Sequence, residues 1–171
     1  GFGEYTYGRW YTVKGQRPSD ETGIYRYKFD VPKSWAGQRV KIFFDGVMTD
    51  AEIIINGKPA GELHQGGFYR FSYDITELLN LGKKNQLEVK VAKESANRSI
   101  NAAERKADWW LFGGIYRPVW LEVLPQIHMK HFVLSADHKG KFQASIDMEG
   151  DAKGHEIVVS VRSLKDGKTV Y

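Results

Sequence analysis

The chain has 171 residues, 42% of them hydrophobic and 27% charged, the proportions of an ordinary globular protein. Its 25 Lys and Arg against 21 Asp and Glu are scattered, with short basic runs only at Lys83-Lys84 and Arg105-Lys106, so no concentrated basic face argues for nucleic acid. The absence of cysteine excludes a disulfide scaffold, a thiol nucleophile and a Cys-based zinc site, and no apolar run reaches the ~20 residues of a membrane-spanning helix.

The chain starts Gly1-Phe2-Gly3-Glu4, which reads as a trimmed or mature start rather than a signal peptide. A periplasmic or extracellular setting is the expectation, and a cytoplasmic one is compatible. Strands then follow one another with period two. Tyr25, Tyr27, Phe29 and Val31 alternate with charged residues, which predicts one buried and one wet face. Val40, Ile42 and Phe44 repeat the pattern, as do Ala51, Ile53 and Ile55. Asn56-Gly57 then predicts a tight hairpin, because both residues accept positive φ. Tyr69, Phe71 and Tyr73 form the next alternating set. A single short helix is expected after them, capped by Asp74, with Glu77 completing a capping box, Leu78-Leu79 buried and Gly82 at its end. Leu87, Val89 and Val91, then Val119, Leu121 and Val123, complete the strands. Six or more strands with one helical turn predict an all-β sandwich or jelly roll.

The stretch from Lys93 to Asp108 breaks the rhythm, being polar and without alternation, and reads as a long loop. Loops of that length inside a compact domain are usually functional or disordered. Pro125 punctuates the chain. Beyond it strands are expected at Ile127 to Leu134, Phe142 to Met148 and Ile157 to Val161, with a turn at Asp166-Gly167 and another strand starting at Thr169. Three or four strands cannot complete a sandwich of about seven. The expectation is therefore a fragment that stops within its second domain.

No catalytic residue stands out. Glycoside hydrolysis needs two carboxylates ~5–10 Å apart, and the pattern offers no such pair at strand ends. A Gly-x-Ser-x-Gly elbow and a phosphate loop are both missing. His128 and His131 are three apart, which on a regular strand sends them to opposite faces, so no metal is expected, nor any cofactor. The aromatic cluster is more informative. Trp109, Trp110, Phe112 and Tyr116 beside Arg105 and Asp108 offer flat apolar faces and polar groups suited to a sugar, although core filling accounts for the same rings. Asp108, next to two tryptophans, needs a partner or a ligand. A salt bridge with Arg105 or Arg117 and a sugar contact both remain open.

Thr22-Gly23-Ile24-Tyr25-Arg26-Tyr27-Lys28-Phe29, Phe44-Asp45-Gly46-Val47, Ala51 through Asn56-Gly57-Lys58-Pro59-Ala60-Gly61 and Asp108-Trp109-Trp110-Leu111-Phe112-Gly113-Gly114-Ile115-Tyr116-Arg117-Pro118-Val119 occur in that order. Phe71-Ser72-Tyr73-Asp74-Ile75-Thr76 and Asn85-Gln86-Leu87 fall between them. Together they resemble the amino-terminal sugar-binding domain of glycoside hydrolase family 2, the β-galactosidases, β-glucuronidases and β-mannosidases. The resemblance covers about residues 15 to 125. It implies a galactose-binding-like jelly roll over residues 1–125, and an incomplete immunoglobulin-like β-sandwich over 126–171. A (β/α)₈ barrel carrying both catalytic glutamates would follow, so this chain alone is expected to be inactive.

The resemblance also implies site residues. Asp108 occupies the acidic position that reaches across to the barrel and contacts the sugar. Asp20 stands where galactosidases use an Asn, and Trp109 is the neighbouring aromatic. Pro118 departs from the usual Gly-Ile-x-Arg-Asp-Val and suggests an edge or a bulge. The implied partners are a carbohydrate and the barrel of the same protein, with no nucleic acid and no membrane. Two other readings remain: a free-standing carbohydrate-binding module using Trp109 or Trp10, and a structural domain that docks the barrel and neighbouring subunits in a homo-oligomer.

Overall fold

The computed structural model describes residues 22–105 and 113–170. The chain divides into two units, Gly1–Pro125 and Gln126–Tyr171. In the first, strands β1 (Thr22–Asp30), β7 (Lys84–Ala92), β4 (Asp50–Ile55) and β5 (Lys58–Pro59) lie side by side in that order. A second sheet has the order β6 (Phe71–Asp74), β2 (Gln38–Phe44) and β9 (Val119–Pro125). A short pair, β3 (Val47–Met48) and β8 (Gly114–Ile115), stands apart from both. The fold is an antiparallel β-sandwich, the all-β class that the alternation implies.

The core is built by the period-two faces. Val40, Ile42 and Phe44 of β2 meet Ala51, Ile53 and Ile55 of β4 and Val89 and Val91 of β7, all buried. Full burial of each large aliphatic side chain is worth about 1.5–3 kcal/mol. Phe44 stacks on Phe71, with centroids 5.0 Å apart. Tyr27 departs from its pattern and is 66% exposed. Among the described residues β1 lies at the end of its sheet and pairs with β7.

The hairpin turn forms as its two residues dictate. Asn56 and Gly57 have φ of 51° and 81°, and Ile55 pairs with Lys58 across them. The Asn56 side chain then links three segments. Its amide nitrogen donates to the Leu78 carbonyl at 2.8 Å and to Asn85 Oδ1 at 2.7 Å, and its oxygen accepts from Gln86 N at 2.9 Å.

The helix expected after Asp74 is a single 3₁₀ turn, Thr76–Leu78. Leu79 is extended, and the next N–H, that of Asn80, goes to Asn85 Oδ1 at 2.7 Å instead of back into a helix. Asp74 Oδ1 still accepts from Thr76 N at 3.0 Å and from the Thr76 hydroxyl at 2.6 Å, while Arg39 Nε reaches Oδ2 at 2.7 Å. Burial alone would raise the Asp74 pKa, but the Thr76 and Arg39 interactions outweigh it and hold the carboxyl below its ordinary value. A depressed carboxyl stabilises the fold above the unfolded pKa and loses that contribution as pH falls through the folded one. Acidification below about pH 4 is thus expected to destabilise the wild type more than Asp74→Asn. Urea midpoints at pH 6 and pH 3 check this.

The Lys93–Asp108 stretch is not wholly a loop, because it contains helix α1, Arg98–Glu104. Asn97 caps it, with Oδ1 accepting from Ser99 N at 3.0 Å. Hydrophobic periodicity cannot reveal this helix, since polar groups dock it. Asn101 accepts from Ser95 N at 2.8 Å and donates to Ser95 O at 2.6 Å. Pro118 lies in the bend between β8 and β9, where its carbonyl accepts from Asp45 N at 3.0 Å.

In the second unit, β10 (His128–Ala136) and β11 (Phe142–Glu149) form an antiparallel hairpin. The register slips by one residue between Met129 and His131, so the two histidines face Glu149 and Asp147, which share one side of β11. The bulge thus overrides the opposite-face expectation for His128 and His131. Among the described residues no cluster of three or more His, Cys, Asp or Glu could hold a metal. Ile157 to Val161 is not a strand. Among the described residues the later segment forms only an isolated bridge, Arg162 to Thr169, and Val158 is exposed. A strand needs a neighbour for its backbone groups, and the described ladder here has two strands.

Candidate functional site

Asp20, Asp108 and Trp109 lie outside the described residues. What the structure places is the framework on either side of residues 106–112. Both flanks are tied to Met48-Thr49. Gly114 of β8 pairs with Met48, and Arg105 Nη2 donates to Thr49 Oγ1 at 3.2 Å. Thr49 Oγ1 in turn donates to the Lys93 carbonyl at 3.1 Å. Ile115 N donates to the Tyr25 hydroxyl at 3.2 Å, which joins β8 to β1.

A buried polar layer surrounds these residues. Asp50 Oδ2 accepts from Gln65 Nε2 and from Ala96 N, both at 2.9 Å. Glu104 accepts from Gly67 N with both oxygens, at 3.0 and 2.9 Å. Both oxygens of Glu104 and Oδ2 of Asp50 are thus engaged by N–H donors. Two buried atoms, Asp50 Oδ1 and Arg105 Nε, have no hydrogen-bond partner among the described residues. Such groups call for a water or a further polar group.

Burial sets the protonation of three groups here, His64, Tyr116 and Arg105. Burial lowers the His64 pKa, opposed by the Gly66 carbonyl, Glu104 and Asp50, so the ring is neutral and Nε2–H donates to Gly66 O at 2.8 Å. Burial pushes the Tyr116 hydroxyl up, with Arg117 opposing and Glu104 adding, and it stays a donor. Arg105 is lowered by burial against the charges of Glu94 and Glu104, yet it starts from so high a value that it stays cationic.

Trp120 lies elsewhere, on the outer face of the second sheet. It stacks on Phe43 at 4.2 Å, lies 5.5 Å from the Arg70 guanidinium and donates to Asp45 at 3.3 Å. Its ring packs on that face against Phe43 and Arg70. Sequence reasoning named Tyr116 and Arg105 but missed Asp50, His64, Gln65, Gly67 and Glu104. The signal available for these was the adjacent Gly66-Gly67 pair, since glycines without a turn pattern mark close backbone approach.

Residues 5–125 match the family model described as glycosyl hydrolases family 2, sugar binding domain. Over 133 residues, 78% of the chain, it is 35% identical to a β-galactosidase of Thermoanaerobacter pseudethanolicus, of which it spans 18%. Over 99 residues, 58% of the chain, it is 34% identical to a β-glucuronidase of Bacteroides fragilis, of which it spans 14%. A crystal structure of a β-glycosidase from Bacteroides vulgatus superposes with a TM-score of 0.60 at 32% identity, covering 75% of this chain and 16% of that one.

Proposed function

The chain belongs to glycoside hydrolase family 2, through its sugar binding domain, and from that premise we propose that it is the non-catalytic, sugar-shaping part of a longer exo-acting glycosidase. The observation that carries the reading is the family match over residues 5–125 in a chain that spans 18% of its β-galactosidase relative. In this reading a barrel of the same protein supplies the catalytic carboxylates and cleaves the terminal O-glycosidic bond of a β-galactoside-like substrate. Asp108 lends a hydrogen-bond acceptor to the terminal sugar, Trp109 offers a flat apolar face beside it, and Asp20 is a second polar contact. Two features of the framework support this role. Both flanks of residues 106–112 are held to the sandwich, and the carboxylates of Asp50 and Glu104 are occupied structurally. The second unit is proposed as the beginning of an immunoglobulin-like sandwich, and homo-oligomeric contacts would involve the longer protein.

The full-length protein is expected to release p-nitrophenol from a p-nitrophenyl β-galactoside or β-glucuronide. Residues 1–171 alone are expected to do neither this nor to give binding heat with the methyl glycosides at millimolar concentration. Heat from the isolated chain would turn the assignment to a free-standing carbohydrate-binding module. A full-length protein that hydrolyses no glycoside would overturn it.

A further inference from the structure

Gly67 holds two side chains that come from opposite flanks of residues 106–112. On one flank Glu104, at the end of α1 and 8% exposed, accepts from the Gly67 N–H with both carboxylate oxygens. On the other, Tyr116, just past β8, donates its hydroxyl to the Gly67 carbonyl. The backbone of one residue thus joins the end of α1 to the β8–β9 connection.

The fit requires glycine for space rather than for φ. A methyl group at position 67 would lie 2.9 Å from Met48 Cγ and 3.4 Å from Glu104 Oε2, and Met48 is the buried strand partner of Gly114. Gly46 gives the same tyrosine room from another side, since a methyl there would lie 2.8 Å from Tyr116 Cζ. The loop that presents Gly67 is itself braced. His64 Nε2 bonds Gly66 O, the Tyr69 hydroxyl donates to Gln65 O at 2.8 Å, and Gln65 reaches Asp50. A buried carboxylate committed to a backbone N–H is costly to desolvate, and an apolar residue would pack there at less cost. What the polar arrangement adds is a single fixed geometry, because directional bonds tolerate less sliding than apolar contacts.

We propose that Gly67 is a positioning residue for sugar binding: by fastening Glu104 and Tyr116 at one point, it fixes the separation of the two chain flanks between which Asp108 is carried. The proposal rests on the sugar-contact reading of Asp108 given above. Preorganisation of this kind spares the substrate the cost of ordering its own contacts.

The test is a double-mutant cycle in the full-length protein, with kcat/KM for a p-nitrophenyl glycoside as the readout. Tyr116→Phe is expected to lower kcat/KM about fivefold, the size of one lost hydrogen bond. Gly67→Ala is expected to lower it about tenfold. In the Asp108→Ala background neither should have any further effect. Tyr27→Phe removes an exposed hydroxyl of β1, away from Gly67 and its loop, and is expected to leave the kinetics unchanged. Equal losses from Tyr116→Phe with and without Asp108 would mean general destabilisation and overturn the proposal, as would a silent Tyr116→Phe beside a sensitive Asp108. If Asp108→Ala itself changes nothing, the sugar-contact reading fails and this inference falls with it. Should Gly67→Ala fail to fold, the Tyr116→Phe cycle decides alone.

Discussion

Asn85→Ala is expected to lower the unfolding free energy of the first unit by about 3–5 kcal/mol, read as a fall in the urea midpoint at unchanged slope. Asn85 is 1% exposed and makes four hydrogen bonds. Its oxygen accepts from Asn56 Nδ2 and Asn80 N, both at 2.7 Å. Its amide nitrogen donates to Asn80 O at 3.0 Å and to Lys83 O at 2.9 Å. Alanine would strand all four partners, and each buried polar group left without a bond costs about 1–3 kcal/mol. Water entering the space would recover part of this, so the expected loss is below the full sum. Asn85→Asp tests the same account differently. It keeps the acceptor oxygen but puts a second oxygen where the amide nitrogen donated to two carbonyls, and it buries a charge, so it should be no milder than alanine. A loss below about 1 kcal/mol from either variant would mean that the four bonds contribute little beyond what water replaces.

The part of the fold set by side-chain alternation was legible in the sequence, and the part set by polar docking was not. Val40, Ile42 and Phe44 face the core because β2 is flanked by β6 and β9 and lies over the other sheet. Asn56-Gly57 makes its turn because the need for positive φ is local. Tyr27 departs from its pattern because exposure depends on tertiary position, here at the end of the sheet among the described residues, which alternation does not encode. Helix α1 failed because its contacts run through Asn97, Asn101 and Glu104, none of which adds to an apolar stripe. His131 failed because a bulge shifts the face of every residue beyond it. In the candidate site, the sequence pointed to Asp108 and Trp109 by composition and resemblance. The buried layer of Asp50 with Gln65 and Glu104 with Gly67 depends on long-range pairings with no local signature.

Asp108 carries the largest expected functional effect. An acidic side chain that precedes Trp109 and Trp110 in the sequence is costly to bury among apolar groups unless it bonds a partner. A sugar hydroxyl is such a partner, and hydrogen bonds to charged groups are worth about 1.5–3 kcal/mol. The flanking residues support a presented contact, because Arg105 is fastened to Thr49 and Gly114 to Met48 rather than left to order on binding. Asp108→Asn retains one acceptor oxygen without the charge, so its loss should be smaller than that of alanine. The most direct measurement is kcat/KM of the full-length protein and its Asp108→Ala variant on a terminal p-nitrophenyl galactoside or glucuronide. The account predicts a fall of at least tenfold, about 1.4 kcal/mol, in a variant whose thermal midpoint stays near the wild type. An unchanged kcat/KM would contradict it.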